Sequence, residues 1–391
     1  MNRNLRIATV ICLLIGLAVS PLFAGAGQEE AAAKEPIKVG AILAVTGGAS
    51  FLGAPESKTL EMLAEEINAA GGIDGHTVEL IIKDSQASAE KAISFAKQLI
   101  EEEHVLAIIG PSTSGESMAI KDICQEAQTI LLSCGAAEAI VNPVASYVFK
   151  TPQKDSYAAI RIFKTMQGMG IAKIGVVVGN TGFGNAGKGQ LEKYAPGHGI
   201  EIAIAEVYDR AATDLTGVLT KLKARGVEAV VNWSIVPAQS IIAKNMRQLG
   251  MDVPLFQSHG FGNIKYVEAA GEAAEGIIFP CGRLLVADVL AANHPQKDLL
   301  VKYKNDYESR YNEDASTFGG HAYDAFIILK AAIEKAGSVE TAAVRDAIES
   351  LQGVVGTAGV FNMSASDHNG LGLDSFEMLT VKDGKFVLLE Q

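Results

Sequence analysis

The stretch KVGAILAVTG at residues 38–47 returns at residues 173–182 as KIGVVVGNTG. The two copies keep one spacing: Lys38 matches Lys173, Gly40 matches Gly175, Thr46 matches Thr181 and Gly47 matches Gly182. Each run is continuously apolar, as in a strand buried on both faces, and such strands belong to parallel sheets covered by helices. A chain that opens twice in this way is constrained to two similar α/β units.

The segments after each copy agree with that reading. A helix is expected from about Pro55, with Leu60, Leu63, Ala64 and Ile67 on one face and Gly71-Gly72 at its end. Residues 76–83 predict a strand, and Ser88 a cap for a helix bearing Ala92, Phe95, Ala96, Leu99 and Ile100. Strands follow at 105–109 and 130–133, and in the second series near 201–207, 227–233, 253–257 and 276–279. Beyond Pro280 the pattern predicts helices over 296–311, 318–336 and 338–351, and Asp383-Gly384 predicts a closing hairpin. This alternation implies mostly parallel sheets with helices on both faces.

Arg3 and Arg6 precede an apolar run at 7–19 that is short for a bilayer span, and Ala24-Gly25-Ala26 follows. The pattern predicts a secretory signal peptide over 1–26 and a flexible tether over 27–35. Losing the two arginines takes the net charge of −12 two units lower, to −14, which argues against nucleic acid or an anionic membrane as partner. Of the 4 cysteines, Cys12 lies in the apolar run; Cys124, Cys134 and Cys281 remain, an odd set that cannot all pair within one chain.

Residues 179–189, GNTGFGNAGKG, satisfy GxGxxG through Gly182, Gly184 and Gly187, and nearly spell a phosphate loop. Gly189 stands where a magnesium-binding hydroxyl is required, and Phe183 would crowd a pyrophosphate. A tight strand-to-helix turn at the carboxyl edge of a sheet is the preferred reading, with a Rossmann-type oxidoreductase as the minor alternative. GPSTSG at 110–115 gathers Ser112, Thr113 and Ser114 at a helix start, suited to holding a carboxylate or to capping. None of the 7 histidines has a partner at metal-ligand spacing, and His321 with Asp324 reads as a structural pair on one helix face. With no nucleophile-and-base set, an enzyme is not expected, nor a cofactor or metal.

The runs IKVGAILAVTGGASFLG, EEINAAGGIDG, IIGPSTS, GNTGFG, AGEAAEGIIF and AYDAFIILKAAIEKAG together resemble the leucine/isoleucine/valine-binding family, periplasmic solute-binding proteins of ABC importers. The resemblance implies two doubly wound parallel-sheet lobes joined by a three-strand hinge, with the ligand between them. It places lobe 1 at 36–151 and 284–355, and lobe 2 at 152–283 and 356–391. It implies a monomer that passes a small carboxylate or amino acid to a membrane permease; a sensor docking on a receptor is the alternative. The implied ligand contacts are Leu52, Ser114, Gly135 and Ala137 from lobe 1, and Phe183, Ile235 (or Trp233) and His259 from lobe 2.

Four positions depart from the family. Leu52 replaces a frequent tyrosine, Ala87 and Thr113 stand at the positions of a disulfide found in some members, and His259 stands where amino-acid binders place an acid. A histidine cannot be the anion that pairs an ammonium. The expected ligand is therefore a carboxylate without an α-ammonium, such as an aromatic or short aliphatic acid, ahead of a branched-chain amino acid, unless Asp155 or another acid enters the cleft.

Overall fold

The computed structural model describes residues 34–390. The expected signal peptide, and the tether up to residue 33, lie outside the described residues. Among the described residues no helix is long and apolar enough to cross a membrane.

The first copy of the repeat forms β1 (Ile37–Leu43), followed by α1 (Ser50–Ala69), β2 (Val78–Asp84), α2 (Ala89–Glu101), β3 (Ala107–Ile109), α3 (Ser114–Glu126), β4 (Ile130–Ser133) and β5 (Val148–Lys150). These five strands form one parallel sheet in the order β2-β1-β3-β4-β5. As expected, Ser88 caps α2 by accepting from the Lys91 N–H at 3.3 Å.

The second copy is β6 (Lys173–Gly179), reached through α4 (Asp155–Gly168). It leads through α5 (Gly182–Tyr194), β7 (Glu201–Tyr208), α6 (Thr216–Ala224), β8 (Ala229–Trp233), α7 (Ala238–Gln248), β9 (Leu255–Gln257), α8 (Ile264–Ala270) and β10 (Ile278–Cys281). Three helices come next: α9 (Lys297–Tyr311), α10 (Thr317–Ala336) and α11 (Thr341–Glu349). A small hairpin of β11 (Val354–Val355) and β12 (Val360–Phe361) precedes β13 (Glu377–Lys382) and β14 (Lys385–Leu388). The second sheet runs β14-β13-β10-β9-β8-β6-β7, parallel except that β13 is antiparallel to both of its neighbours, β10 and β14. Asp383 and Gly384 both take positive φ (53° and 71°) at its turn, as a two-residue hairpin of this type requires.

The protein is thus α/β, with two doubly wound lobes and a chain that crosses between them three times. The crossings follow β5, follow β10 and precede β13. Residues of α10 and α11 pack in the core of the first sheet, with Phe326, Leu329, Val344 and Ile348 fully or almost fully buried there. The third crossing comes later than the expected boundary at 355. Phe361, Met363 and Leu371 still pack in the first core, while Phe376 and Met378 pack in the second. Buried side chains tie the crossings together: Gln153 Nε2 donates to the Ala358 carbonyl at 2.9 Å, and Asn369 Nδ2 to those of Lys150 and Pro152 at 3.1 and 2.8 Å.

α1 begins at Ser50, so Pro55 lies inside the helix rather than in its first turn. A proline within a helix leaves the carbonyl four residues earlier without its N–H partner. Here that carbonyl is Phe51's, and Asn263 Nδ2 from the other lobe donates to it at 2.8 Å.

Candidate functional site

The carboxyl edges of β3, β4, β6 and β8 carry the loops that face the cleft. The three hydroxyl residues of GPSTSG divide their work. Ser112 accepts from the Ala44 N–H at 2.9 Å and donates to the buried Glu56 carboxyl. Burial raises Glu56 to about 8, which keeps it protonated at neutral pH. Thr113 caps α3, accepting from the Glu116 N–H at 3.3 Å. Ser114 begins the helix, and its Oγ accepts from the N–H groups of Ala136 and Ala137 at 3.2 and 3.1 Å. Its own O–H and the N–H groups of Ser114 and Gly115, the two in the first turn of α3 not taken by Thr113, remain available to an anion.

The three fingerprint glycines each answer a packing demand. A Cβ on Gly182 would lie 2.6 Å from Gly115 Cα, so α3 and α5 touch backbone to backbone across the cleft. On Gly184 it would strike the Gly179 carbonyl, and on Gly187 the indole of Trp233. Thr181 caps α5, accepting from the Gly184 N–H at 3.0 Å. The turn is built for close approach of chain to chain, which removes the sequence argument for a nucleotide.

Beside this contact lies a narrow cavity with walls from both lobes. Leu52, Ser112, Ser114, Cys134, Ala136, Phe318 and His321 belong to the first lobe, Phe183, Ile235, His259 and Gly260 to the second, and Pro152 to the first crossing. The walls close on about 20 Å³, room for about one water, so a larger solute enters only as the lobes part. A wider groove of about 490 Å³ shares Phe183 and Ile235 with it and includes Glu116 and Arg210.

Of the residues expected from sequence, Leu52, Ser114, Phe183, Ile235 and His259 line this one cavity. Gly135 and Ala137 do not line it; Cys134 and Ala136 do. Gly135 is pressed against Ser114, where a Cβ would come within 3.0 Å of Ser114 Cα, and the Ala137 side chain packs in the first-lobe interior with Ile120 and Ile140. Trp233 is fully buried behind the cavity, its ring 5.7 Å from that of Phe183 and 5.5 Å from that of His259. Asp155 does not enter. Its Oδ1 accepts from the Glu138 and Ser156 N–H groups at 3.1 and 2.9 Å, and Lys150 is its charged neighbour.

His321 is the residue that sequence reasoning missed. Its helical neighbour Asp324 turns away, its carboxylate accepting from the Thr357 and Ala358 N–H groups, while the imidazole faces the cavity. His259 and His321 are each 7% exposed. Among the described residues no group pairs with either ring nitrogen of His259 or with Nδ1 of His321. Burial drives both rings well below the usual histidine range, His321 to about 3, and the positive charge of Lys150 adds to the effect. Lys150, itself fully buried, donates to the Pro152 and Gln153 carbonyls at 2.6 and 3.2 Å.

Cys124, Cys134 and Cys281 are all buried and unbonded. Among the described residues no cluster of His, Cys, Asp or Glu could hold a metal ion.

The sequence pattern of the periplasmic binding protein family matches residues 36–385. The Leu/Ile/Val-binding protein homolog 3 of Brucella melitensis is 27% identical over 96% of this chain and 99% of its own length. The leucine-, isoleucine-, valine-, threonine- and alanine-binding protein of Pseudomonas aeruginosa is 23% identical over 81% of this chain and 83% of its own. Among solved structures, an extracellular ligand-binding receptor of Rhodopseudomonas palustris superposes with a TM-score of 0.86 at 28% identity, covering 91% of this chain and all of the other. The branched-chain amino acid transporter substrate binding protein LivJ of Streptococcus pneumoniae, solved with isoleucine, gives 0.80 at 25% identity over 90% of this chain and 97% of its own. These relatives are binding proteins rather than enzymes. With its two lobes, three crossings and cavity between them, the chain belongs to the periplasmic binding protein family, in the group of leucine/isoleucine/valine-binding relatives.

Proposed function

We propose that this protein is an exported solute-binding protein that captures a small carboxylate or amino acid between its lobes and delivers it to an ABC permease. The observation that carries the reading is the cavity itself, whose walls come from both lobes and the first crossing. One lobe receives the solute and the other completes the enclosure, so binding shifts the population toward the closed form. Ser114 and the start of α3 receive the carboxylate; Leu52, Phe183 and Ile235 form the apolar walls; Cys134 and Ala136, rather than Gly135 and Ala137, line the floor. The lobes are 36–151 with 284 to about 371, and 152–283 with the remainder. The protein acts as a monomer, and the signal peptide over 1–26 directs it outside the cytoplasm.

Thermal unfolding of the mature chain across a panel of amino acids and carboxylic acids tests the reading. A true ligand at a hundredfold excess over its Kd stabilises the folded state by about 2.7 kcal/mol. No shift with any solute, and none copurified, would contradict it. Export is tested by N-terminal sequencing of the secreted protein, which should begin near residue 27.

A further inference from the structure

Resting on that reading, we infer that the ligand is a monocarboxylate bearing a second, uncharged oxygen function, of the oxo-acid or hydroxy-acid class, rather than an amino acid or a plain hydrocarbon acid. The polar atoms of the cavity wall come from both lobes. Ser114 and the N-terminus of α3 offer donors for one carboxylate. The second lobe brings His259, and α10 brings His321, to the same space, and three of their ring nitrogens have no partner among the described residues. A buried polar atom left without a partner is costly, so a ligand that covers these nitrogens with hydrocarbon would be a poor fit. The ligand must present hydrogen-bonding atoms to the histidines as well as to Ser114.

Charge decides what those atoms are. Among the described residues that line the cavity none is acidic. Burial keeps both imidazoles neutral, and the buried Lys150 lies close enough to depress both further. An ammonium placed there would be desolvated and without an anion. A carbonyl oxygen accepts from a neutral imidazole N–H, and a hydroxyl can both donate and accept. Leu52, Phe183, Ile235 and Phe318 offer apolar walls to a tail that enters as the lobes part.

The test is calorimetry on the mature protein with two four-member series. One comprises leucine, its oxo acid, its hydroxy acid and the unsubstituted acid; the other comprises the same four for phenylalanine. In at least one series the oxo or hydroxy acid should bind roughly tenfold tighter than the unsubstituted acid, and tighter still than the amino acid. In His259→Phe and His321→Phe that advantage should shrink toward equality, and in His259→Gln, which keeps a hydrogen-bonding side chain, it should partly return. These variants replace unpaired polar rings with apolar ones of similar shape, so they should fold. Tightest binding of the amino acid, or an advantage unchanged in both Phe variants, would overturn the inference while leaving the solute-binding reading intact. No binding by any solute would overturn both.

Discussion

Asn263 Nδ2 donates to the Phe51 carbonyl at 2.8 Å, across the cleft and onto the carbonyl that Pro55 leaves free in α1. One proline thus turns a helical defect into a contact between the lobes. Thr317 adds to it, its N–H and Oγ1 both donating to the Gly262 carbonyl at 3.1 Å. Asn263→Ala should weaken binding of the best acid of the series by about 1–2 kcal/mol, the range for stranding a buried acceptor. In a Pro55→Ala background the carbonyl regains its helical partner, and the same change should cost less. A double-mutant cycle by calorimetry measures the coupling; simple additivity would contradict the assignment.

The contact of Gly115 with Gly182 governs how far the lobes close. Gly182→Ala places a methyl 2.6 Å from Gly115 Cα, so the closed form is blocked. Affinity should fall more than about tenfold, a loss above roughly 1.4 kcal/mol, while the unliganded protein keeps its Tm. Gly189→Ala, on the same helix and with nothing within 4 Å, is the control, and should leave affinity unchanged.

Gly187→Ala acts on folding instead. Its methyl meets the indole of Trp233, the chain's 1 tryptophan, inside a closely packed core. Overpacking of this kind costs about 1–3 kcal/mol. Chemical denaturation followed by tryptophan emission should show a lower midpoint and a shifted native spectrum. An unchanged midpoint would show that the α5–β8 contact is loose.

Stability should carry the mark of the buried histidines at acid pH. In the unfolded chain His321 titrates near its ordinary value of 6.5, whereas burial holds it to about 3 in the folded state. Between those values the unfolded state binds the extra proton, so stability falls as pH drops below about 6.5, by at most about 1.4 kcal/mol per pH unit for one group. His259 acts in the same direction. Raised carboxyls such as Glu56 and Asp324 act in the opposite direction, so the informative quantity is the difference between wild type and His321→Asn. That difference should shift in favour of the variant from pH 6.5 downward; a constant difference would contradict the burial of the ring.

Much of this architecture is legible in the sequence because it rests on local periodicity. The repeated strand marks the first strand of each lobe, and Ser88 and Asp383-Gly384 mark a cap and a turn through chemistry confined to a few residues. What the sequence hides depends on contacts across the cleft. Pro55 reads as a helix start because its usual place is the first turn, and only Asn263, far along the chain, makes its interior position tolerable. His321 reads as the partner of Asp324 because they are three residues apart on one helix. The crossings that aim the imidazole at the cavity leave no local signal. Gly135 and Ala137 come from the resemblance, and the structure shows their neighbours lining the cavity in their place, because Gly135 is pressed against Ser114 and the Ala137 side chain packs in the first-lobe interior.

The central claim, that the lobes enclose a small acid between them, is tested most directly by small-angle X-ray scattering of the mature protein with and without the best-bound acid. The radius of gyration should fall when the acid is added to wild type and stay near its unliganded value in Gly182→Ala. A wild-type curve that is unchanged at saturating acid, with binding verified by calorimetry in the same sample, would contradict it.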